Sequence, residues 1–295
     1  MKYLIVNGDE FGLSEEVNRG IIEAHQKGIL TSVSTIVTGK GFEGAVILAQ
    51  HNSRLGVGIH LMLTDGFPAS PPDEIESLIS GEGRFFPRRE FIHRYFKRKI
   101  NAKEIEDELR AQVKKFKSIG LKPTHFDSHQ SIYVIPGIFK MVLKIAREED
   151  IPIRLPIDPF FLNKSFSFGF RSNIHVLKKI GMQGLAWRLR FLLRRSGVKS
   201  SEAFRTFFDF YYARKKSMEE ELIRLVNGLP EGICEVMTHP GYCDEELVTW
   251  VYGKEEEASL REMELKALIA DSVKKAVRER EIRLINYSDL ANHLC

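Results

Sequence analysis

Three carboxylates, three imidazoles and one guanidinium stand where short apolar runs of this chain give way to polar residues. Asp9 and Glu10 follow the run Tyr3–Asn7, and His60 lies in Leu55–Leu63. Asp127 and His129 close the run that begins at Thr124, Arg154 lies in Ile151–Leu155, and His239 follows Ile233–Met237. A carboxylate and two neutral imidazoles can hold a divalent ion and leave positions for water and substrate. Such an ion lowers the pKa of bound water and polarises a carbonyl oxygen. A second carboxylate can take the proton from that water, and a separate acid can protonate the leaving group. The set suits metal-assisted hydrolysis. Adjacent acids can divide into base and ligand, and His239, ahead of Pro240 and Gly241, suits the acid role.

Each member taken alone has a plainer reading. Asp9 and Glu10 read equally as a helix-entry turn with acids near the helix dipole. A histidine such as His60 in an apolar run is commonly a core residue bonded to backbone, and Arg154 reads equally as an ion-pair partner of Asp127. The argument rests on joint placement at strand ends.

The elements that must position these groups alternate along the chain. Strand-like runs are Tyr3–Asn7, Thr31–Val37, Leu55–Leu63, Thr124–Asp127, Ile151–Leu155, Ile233–Met237 and Arg283–Ile285. Between them, apolar residues recur at helical spacing: Val17, Ile21 and Ala24, with Ser14 as N-cap and Gly28 as stop, then Phe42–Ala49, Ala102–Ile119, Gly137–Glu149, Met218–Val226, one long helix Leu260–Arg280, and Ser288–Leu294. Alternation of this kind predicts a mainly parallel sheet, and about seven strands favour an α/β fold of the irregular (β/α) TIM-like barrel kind. No GxGxxG or GxxxxGK[ST] follows a strand, which weighs against nucleotide binding. The reading is a single domain over 1–295, with an irregular insertion at 67–100 carrying a short helix near Ile75–Ile79, and a basic, aromatic, helical segment at about 157–215.

Composition excludes several classes. With 44 Lys and Arg against 40 Asp and Glu in 295 residues, net +4, the chain is no globally basic nucleic-acid binder. Residues 151–200 nevertheless hold ten basic side chains against the single acid Asp158, so a local basic face exists. Hydrophobic residues at 43 % with 28 % charged describe a globular chain. No apolar run reaches the roughly 18 residues of a membrane span. The first residues meet Asp9 and Glu10 too early for a secretory signal, and three cysteines make no disulfide framework, so a reducing cytoplasm is the expected address.

The run Val6-Asn7-Gly8-Asp9-Glu10-Phe11-Gly12-Leu13-Ser14 resembles the opening motif of the YdjC-like family, which includes a chitooligosaccharide deacetylase. The likeness continues through Asn18–Ala24, Gly28–Ser32, Gly56–Leu61, Pro123–Gln130, Arg154–Pro156 and Met237–Tyr242, nearly end to end. The resemblance implies a metal-dependent carbohydrate N-deacetylase on an irregular barrel. It implies Asp9 as general base, Glu10, His60 and His129 as metal ligands, Arg154 as a steadying group, and His239 as acid or oxyanion partner. Asp127, Tyr133 and Tyr242 are the candidate substrate contacts. The substrate would be an N-acetylglucosamine-type sugar, the products a free amine and acetate. Mixed carboxylate and imidazole ligands fit zinc, manganese or nickel, and magnesium less naturally. The chain departs from the family where its usual Asp-Asp pair is Asp9-Glu10, and where a His-x-His-x-His run is His129, Ser131 and Tyr133. A carbohydrate- or glycolipid-binding homologue without turnover, and a phosphoesterase using the same metal chemistry, are the competing readings.

Leu192–Lys199, leading to Phe204, looks like the hopanoid-biosynthesis branch of the family, often called HpnK, whose substrate is a lipid-linked aminosugar. On a helical wheel, Leu185, Ala186, Leu189, Leu192 and Leu193 fill one arc. Arg188, Arg190, Arg194 and Arg195 fill the other, with Trp187 and Phe191 among them. That face suits peripheral contact with an anionic membrane at its inner side; a solvated basic face over ordinary core is the plain alternative. No nucleic-acid motif accompanies the charge. The family resemblance also implies a homo-oligomer, a dimer in the simplest case.

Overall fold

The structure is a computed structural model that describes residues 1–156, 173–206 and 217–293. Among these residues seven strands form one sheet: β1 (Lys2–Phe11), β2 (Ser32–Thr35), β3 (Gly56–Leu61), β4 (Phe126–Ser128), β5 (Ala203–Thr206), β6 (Gly232–Thr238) and β7 (Arg283–Leu284). The order is β4-β3-β2-β1-β6-β5, with β7 paired to β1, and every pairing is parallel. The sheet curls into an irregular half-barrel flanked by helices. Ile153 bridges Phe126 beyond the β4 edge. Its N–H also reaches the carbonyl of Lys199, just ahead of β5 at the other edge, so a single residue spans the gap.

The helices are α1 (Glu15–Lys27), α2 (Phe42–His51), α3 (Arg88–Phe96), α4 (Ala102–Lys117), α5 (Pro136–Glu149), α6 (Asn173–Ser196), α7 (Met218–Asn227), α8 (Glu245–Trp250), α9 (Glu255–Ile269), α10 (Asp271–Glu279) and α11 (Tyr287–His293). Ser14 caps α1 by accepting from Val17 N–H, and Gly28 ends the helix, as its sequence signals require. Buried aliphatic side chains of the strands, among them Leu4, Val6, Val33 and Ile59, pack against apolar stripes such as Ile105, Leu109 and Val113 of α4 and Ile138, Val142 and Ile145 of α5.

Five sequence expectations change. Strand β1 does not stop at Asn7 but runs through Phe11, because β2 pairs with it on that side as far as Phe11. Ile151–Leu155 contributes only the bridge at Ile153: Pro152 and Pro156 lack the N–H groups a ladder needs. The missing strand is β5, inside the segment expected to be helical. Of that segment, residues 157–172 and 207–216 lie outside the described residues. The expected helix Leu260–Arg280 is two helices, broken where Ala270 adopts an extended conformation. The insertion at 67–100 is better ordered than an irregular loop: short 3₁₀ turns occupy Pro72–Glu74 and Glu76–Leu78, and α3 follows. Ile75, Leu78, Phe85 and Phe91 are buried, and Glu108 of α4 accepts from the N–H groups of Ala69 and Ser70. No described helix is long and apolar enough to cross a membrane.

Candidate active site

The C-terminal ends of β1, β3, β4 and β6 converge, and the site begins with an irregularity in β1. Gly8 lies opposite Val33 of β2 and Phe11 opposite Thr35, so β1 contains one extra residue between them. Successive side chains of a regular strand point to opposite faces. The bulge, with Glu10 at φ 70, breaks that alternation and lets two adjacent acids serve one side of the sheet. Both are buried and both lie within electrostatic reach of the His239 ring.

Asp9 sits on a guanidinium fork. Arg154 donates to both of its carboxylate oxygens at 2.7 Å, and Asn7 Nδ2 donates to Oδ1 at 2.9 Å. The same guanidinium reaches Asp127 Oδ2 at 2.5 Å and Glu235 Oε1 at 2.7 Å. One buried cation therefore serves three buried carboxylates. Burial alone would raise the Asp9 carboxyl; Arg154, with His60 and His239, overrides it and holds Asp9 far below the usual carboxylate range. Asp127 is lowered too, with Arg154 and His60 outweighing its burial. Glu235 is pushed up to about 6, because burial there exceeds what its share of Arg154 returns. Its second oxygen accepts the Tyr287 hydroxyl at 2.5 Å. The Tyr287 ring stacks on His125 at 3.7 Å, and a His125 nitrogen meets Ser34 Oγ at 3.0 Å. Gly58 is glycine for a steric reason: a Cβ there would lie 2.4 Å from the His125 ring.

His60 of β3 lies in register with Asp127 of β4, and its Nδ1 is 2.9 Å from Asp127 Oδ1. Asp127 thus orients the ring through Nδ1 and leaves Nε2 as the nitrogen that could hold a metal. Burial would lower the His60 pKa; Asp127, Asp9 and Glu10 together raise it. His129 stands edge-on to His60 with ring centroids 5.8 Å apart, and its Nδ1 is 3.6 Å from Glu10 Oε1. The Glu10 carboxylate accepts from Trp250 Nε1 at 2.9 Å and from Arg261 at 2.8 Å. Arg261, ahead of His239 and His129, outweighs burial and brings Glu10 down to about 2. His239 Nε2 is 4.0 Å from Asp9 Oδ2, and its N–H donates to Glu264 at 2.6 Å. Burial, then Arg261, lowers His239 to about 4, so the ring is neutral near pH 7.

The structure thus brings together Asp9, Glu10, His60, Asp127, His129, Arg154 and His239. Within the described residues, the group whose donor atoms all lie within 4.8 Å of one another is Asp9, His60 and Asp127. Glu10, named with His60 and His129 as a ligand set, has its carboxylate engaged by Trp250 and Arg261. Two candidate substrate contacts have their hydroxyls engaged within the fold. Tyr133 is buried, and its hydroxyl donates to the Arg154 carbonyl, so it braces the arginine's backbone. Tyr242 lies against α1, its hydroxyl donating to Glu23 and its ring under the Arg19 guanidinium. Sequence reasoning assigned no role to Glu235, Tyr287 or Trp250, and took Arg261 and Glu264 only as part of a family-like segment, Arg261–Leu265. Glu235 carried a signal, a charge inside the apolar strand Gly232–Thr238; Trp250 carried none.

These donors fit a divalent ion. Asp9, Glu10, Asp127 and Glu235 crowd Arg154 and Arg261, an excess of negative charge that a dication would offset, and carboxylate with imidazole is the ligand chemistry of zinc, manganese or nickel.

The model of the YdjC-like protein family matches residues 3–279. A carbohydrate deacetylase of Brevibacillus brevis is 36 % identical over 97 % of this chain and 99 % of its own. A chitooligosaccharide deacetylase of Proteus mirabilis is 32 % identical over 97 % of this chain and 98 % of its own. Among solved structures, an Enterococcus faecalis V583 protein described as a candidate cellobiose-phosphate cleavage protein superposes with a TM-score of 0.77 at 27 % identity, covering 98 % of both chains.

Proposed function

Since the chain belongs to the YdjC-like family, we propose that it is a metal-dependent carbohydrate deacetylase, hydrolysing the N-acetyl amide of an N-acetylglucosamine-type sugar to a free amine and acetate. The observation that carries this reading is the buried Asp9–His60–Asp127 cluster at the strand ends, in a chain whose relatives are named for the activity. His60 and His129, with the Glu10 carboxylate, would hold the ion, leaving Asp9 beside it as the base. It would supply a water of lowered pKa and polarise the amide carbonyl.

The protein's own groups do the rest. Arg154 keeps Asp9 ionised and fixed, so the carboxylate stays a proton acceptor throughout the neutral range, though a weak one. His239 enters neutral, so any proton it gives to the leaving amine is one it has first received. Asp9, 4.0 Å from His239 Nε2, stands where the water's proton can be accepted and passed on. Arg154, Asp127 and Glu235 hold this geometry from beneath, and burial keeps bulk water out.

Chitooligosaccharides are the first substrates to test. A lipid-linked aminosugar of the hopanoid kind is the second reading, favoured by the outer face of α6. There Trp187 is 74 % and Phe191 57 % exposed beside exposed Arg188, Arg194 and Arg195, while Ala186, Leu189 and Leu193 face the core. Acetate release from N-acetylglucosamine oligomers should stop after chelation, return with added zinc, manganese or nickel, and vanish in Asp9→Asn. Elemental analysis should find less bound metal in His60→Ala. Release that survives chelation, or phosphate release from sugar phosphates in place of acetate, would sink the proposal.

A further inference from the structure

The turn that carries His239 is held by helices rather than by the sheet. Strand β6 pairs with β1 as far as Thr238, opposite Gly8, and with β5 as far as Met237. Beyond Thr238 the N–H groups go to α9 and α1. His239 N–H donates to Glu264 Oε2 at 2.6 Å, Gly241 N–H to the Arg261 carbonyl at 3.3 Å, and Cys243 N–H to Glu262 Oε1 at 3.3 Å, all on α9. Tyr242 N–H donates to the Glu16 carbonyl of α1 at 3.3 Å, and Pro240 has no N–H to give. On the α1 side the turn has no room to retreat: a Cβ on Gly20 would lie 2.6 Å from Gly241 Cα.

The shortest of these contacts is the one to His239 itself, and it comes from a buried side chain that the chemistry above does not use. Glu264 is 1 % exposed, and its other oxygen, Oε1, has no hydrogen bond among the described residues. Burial, with Asp9 and Glu10 adding repulsion, pushes the carboxyl up to about 7 against the pull of Arg261 and the His239 N–H. A buried carboxyl with one oxygen unmet costs stability, and a backbone N–H at an open strand end could be satisfied by water without that cost. What the carboxyl adds is a fixed direction, since a short bond to a buried acceptor sets where the His239 backbone lies. The imidazole follows the backbone, with Nε2 4.0 Å from Asp9 Oδ2. One helical turn earlier on α9, Arg261 donates to Glu10 Oε2 at 2.8 Å. Residues three apart share a helix face, so one turn of α9 holds both Glu10 and His239.

We propose, on the deacetylase reading, that Glu264 is a positioning residue, whose carboxyl oxygen fixes the His239 backbone and so keeps the imidazole within reach of Asp9 and the leaving amine. Its part is reach rather than charge. With a carboxyl that titrates at about 7, close to half of the molecules carry a neutral Glu264 near neutral pH, and the acceptor oxygen is present in both forms.

The test separates reach from charge. Glu264→Gln keeps an acceptor oxygen in place and discards the charge. Glu264→Asp keeps the charge and withdraws the oxygen by about 1.5 Å, the length of one C–C bond. Acetate release from N-acetylglucosamine oligomers is measured with the metal-loaded full chain, well below the melting temperature of each variant. Glu264→Gln should keep kcat within about threefold of wild type, whereas Glu264→Asp should lose about a hundredfold, the cost of misplacing a reacting group by about 1 Å. KM should change little in either, because the interaction at stake is made in the chemical step. An active Glu264→Asp beside a dead Glu264→Gln would make the charge the working part and overturn the proposal. So would equal losses in both, or a loss confined to KM. Should Glu264→Asp fail to fold, a large loss of kcat in Glu264→Gln still overturns it. Crystal structures of the variants give a reading that needs no turnover: His239 Nε2 should stay near its 4.0 Å separation from Asp9 Oδ2 in Glu264→Gln and shift by about 1 Å in Glu264→Asp. A wild type that releases no acetate counts against the deacetylase reading alone, and an imidazole that stays in place in Glu264→Asp refutes the positioning.

Discussion

Replacing Glu235 by glutamine removes one negative charge from beneath the site with almost no change of shape. Three carboxylates share Arg154, and they cannot all be stabilised by one guanidinium. Asp9 takes the bidentate fork and Asp127 an oxygen at 2.5 Å; Glu235 has only the Nε donor and, through Tyr287, one hydroxyl. Burial then prevails at Glu235, with Asp127 adding repulsion, and its carboxyl moves from 4.5 up to about 6. The folded pKa lies above the unfolded one. Between these values the folded protein keeps a proton that the unfolded chain has lost, so stability falls as pH rises through the interval. A displacement from 4.5 to about 6 corresponds to about 2 kcal/mol at 1.36 kcal/mol per unit.

Glutamine does not titrate, so Glu235→Gln escapes this loss. It carries a separate, pH-independent cost. The amide offers a single acceptor oxygen to two donors, Arg154 Nε and the Tyr287 hydroxyl, which is worth about 1–3 kcal/mol. The variant should therefore be the less stable protein near the acid end and approach parity with wild type near neutrality. Urea unfolding of both proteins at a series of pH values between about 4.5 and 7 measures the difference, which should move by about 2 kcal/mol in the variant's favour. Parallel curves would refute the reasoning. So would a variant that loses ground as pH rises, because that would mean Arg154 holds Glu235 ionised as firmly as it holds Asp9.

Two further outcomes follow from the same geometry and from α6. His125 is buried, and desolvation, against the pull of Asp127, holds its pKa down to about 3; the unfolded chain takes up a proton below about 6.5 that the folded protein refuses, so stability should fall by about 1.4 kcal/mol per pH unit on acidification from that point. His125→Asn should flatten this limb in urea titrations, and an unaltered slope would show that the ring is protonated in the fold. On α6, reversing Arg188, Arg194 and Arg195 to glutamate should abolish sedimentation with phosphatidylserine vesicles, since each arginine near an anionic surface is worth about 1 kcal/mol; sedimentation that is unchanged, or equal on uncharged vesicles, would remove the lipid-side reading.

Much of the site could be read from sequence because a parallel barrel presents reactive groups at the carboxyl ends of its strands. That rule alone collected Asp9, Glu10, His60, Asp127, His129, Arg154 and His239. It cannot reach Glu235, which lies inside β6 and acts from below, or Arg261 and Trp250, which arrive on helices α9 and α8. Tyr133 and Tyr242, which the family resemblance and not that rule put forward, have their hydroxyls on the Arg154 carbonyl and on Glu23. The strand that failed, Ile151–Leu155, failed for a reason already in the sequence, its two prolines; β5 went unseen because four residues including an arginine carry no clear alternation.

The pair Asp9-Glu10 marks the limit most sharply. Alternation along a strand assigns neighbours to opposite faces, so a regular β1 could offer the site only one of these acids. Reading them as a tight turn solved the problem by ending the strand at Asn7. The structure solves it differently: the strand continues, and one extra residue with Glu10 at φ 70 turns the second carboxylate toward Arg261, Trp250 and His129. Nothing in residue type requires a glutamate to take that conformation. It is held there by partners more than 200 positions away, Trp250 and Arg261. If those contacts maintain the bulge, the separation of roles between Asp9, clamped by Arg154, and Glu10, clamped by Arg261, is a property of the closed fold rather than of the motif, and no local pattern could have carried it.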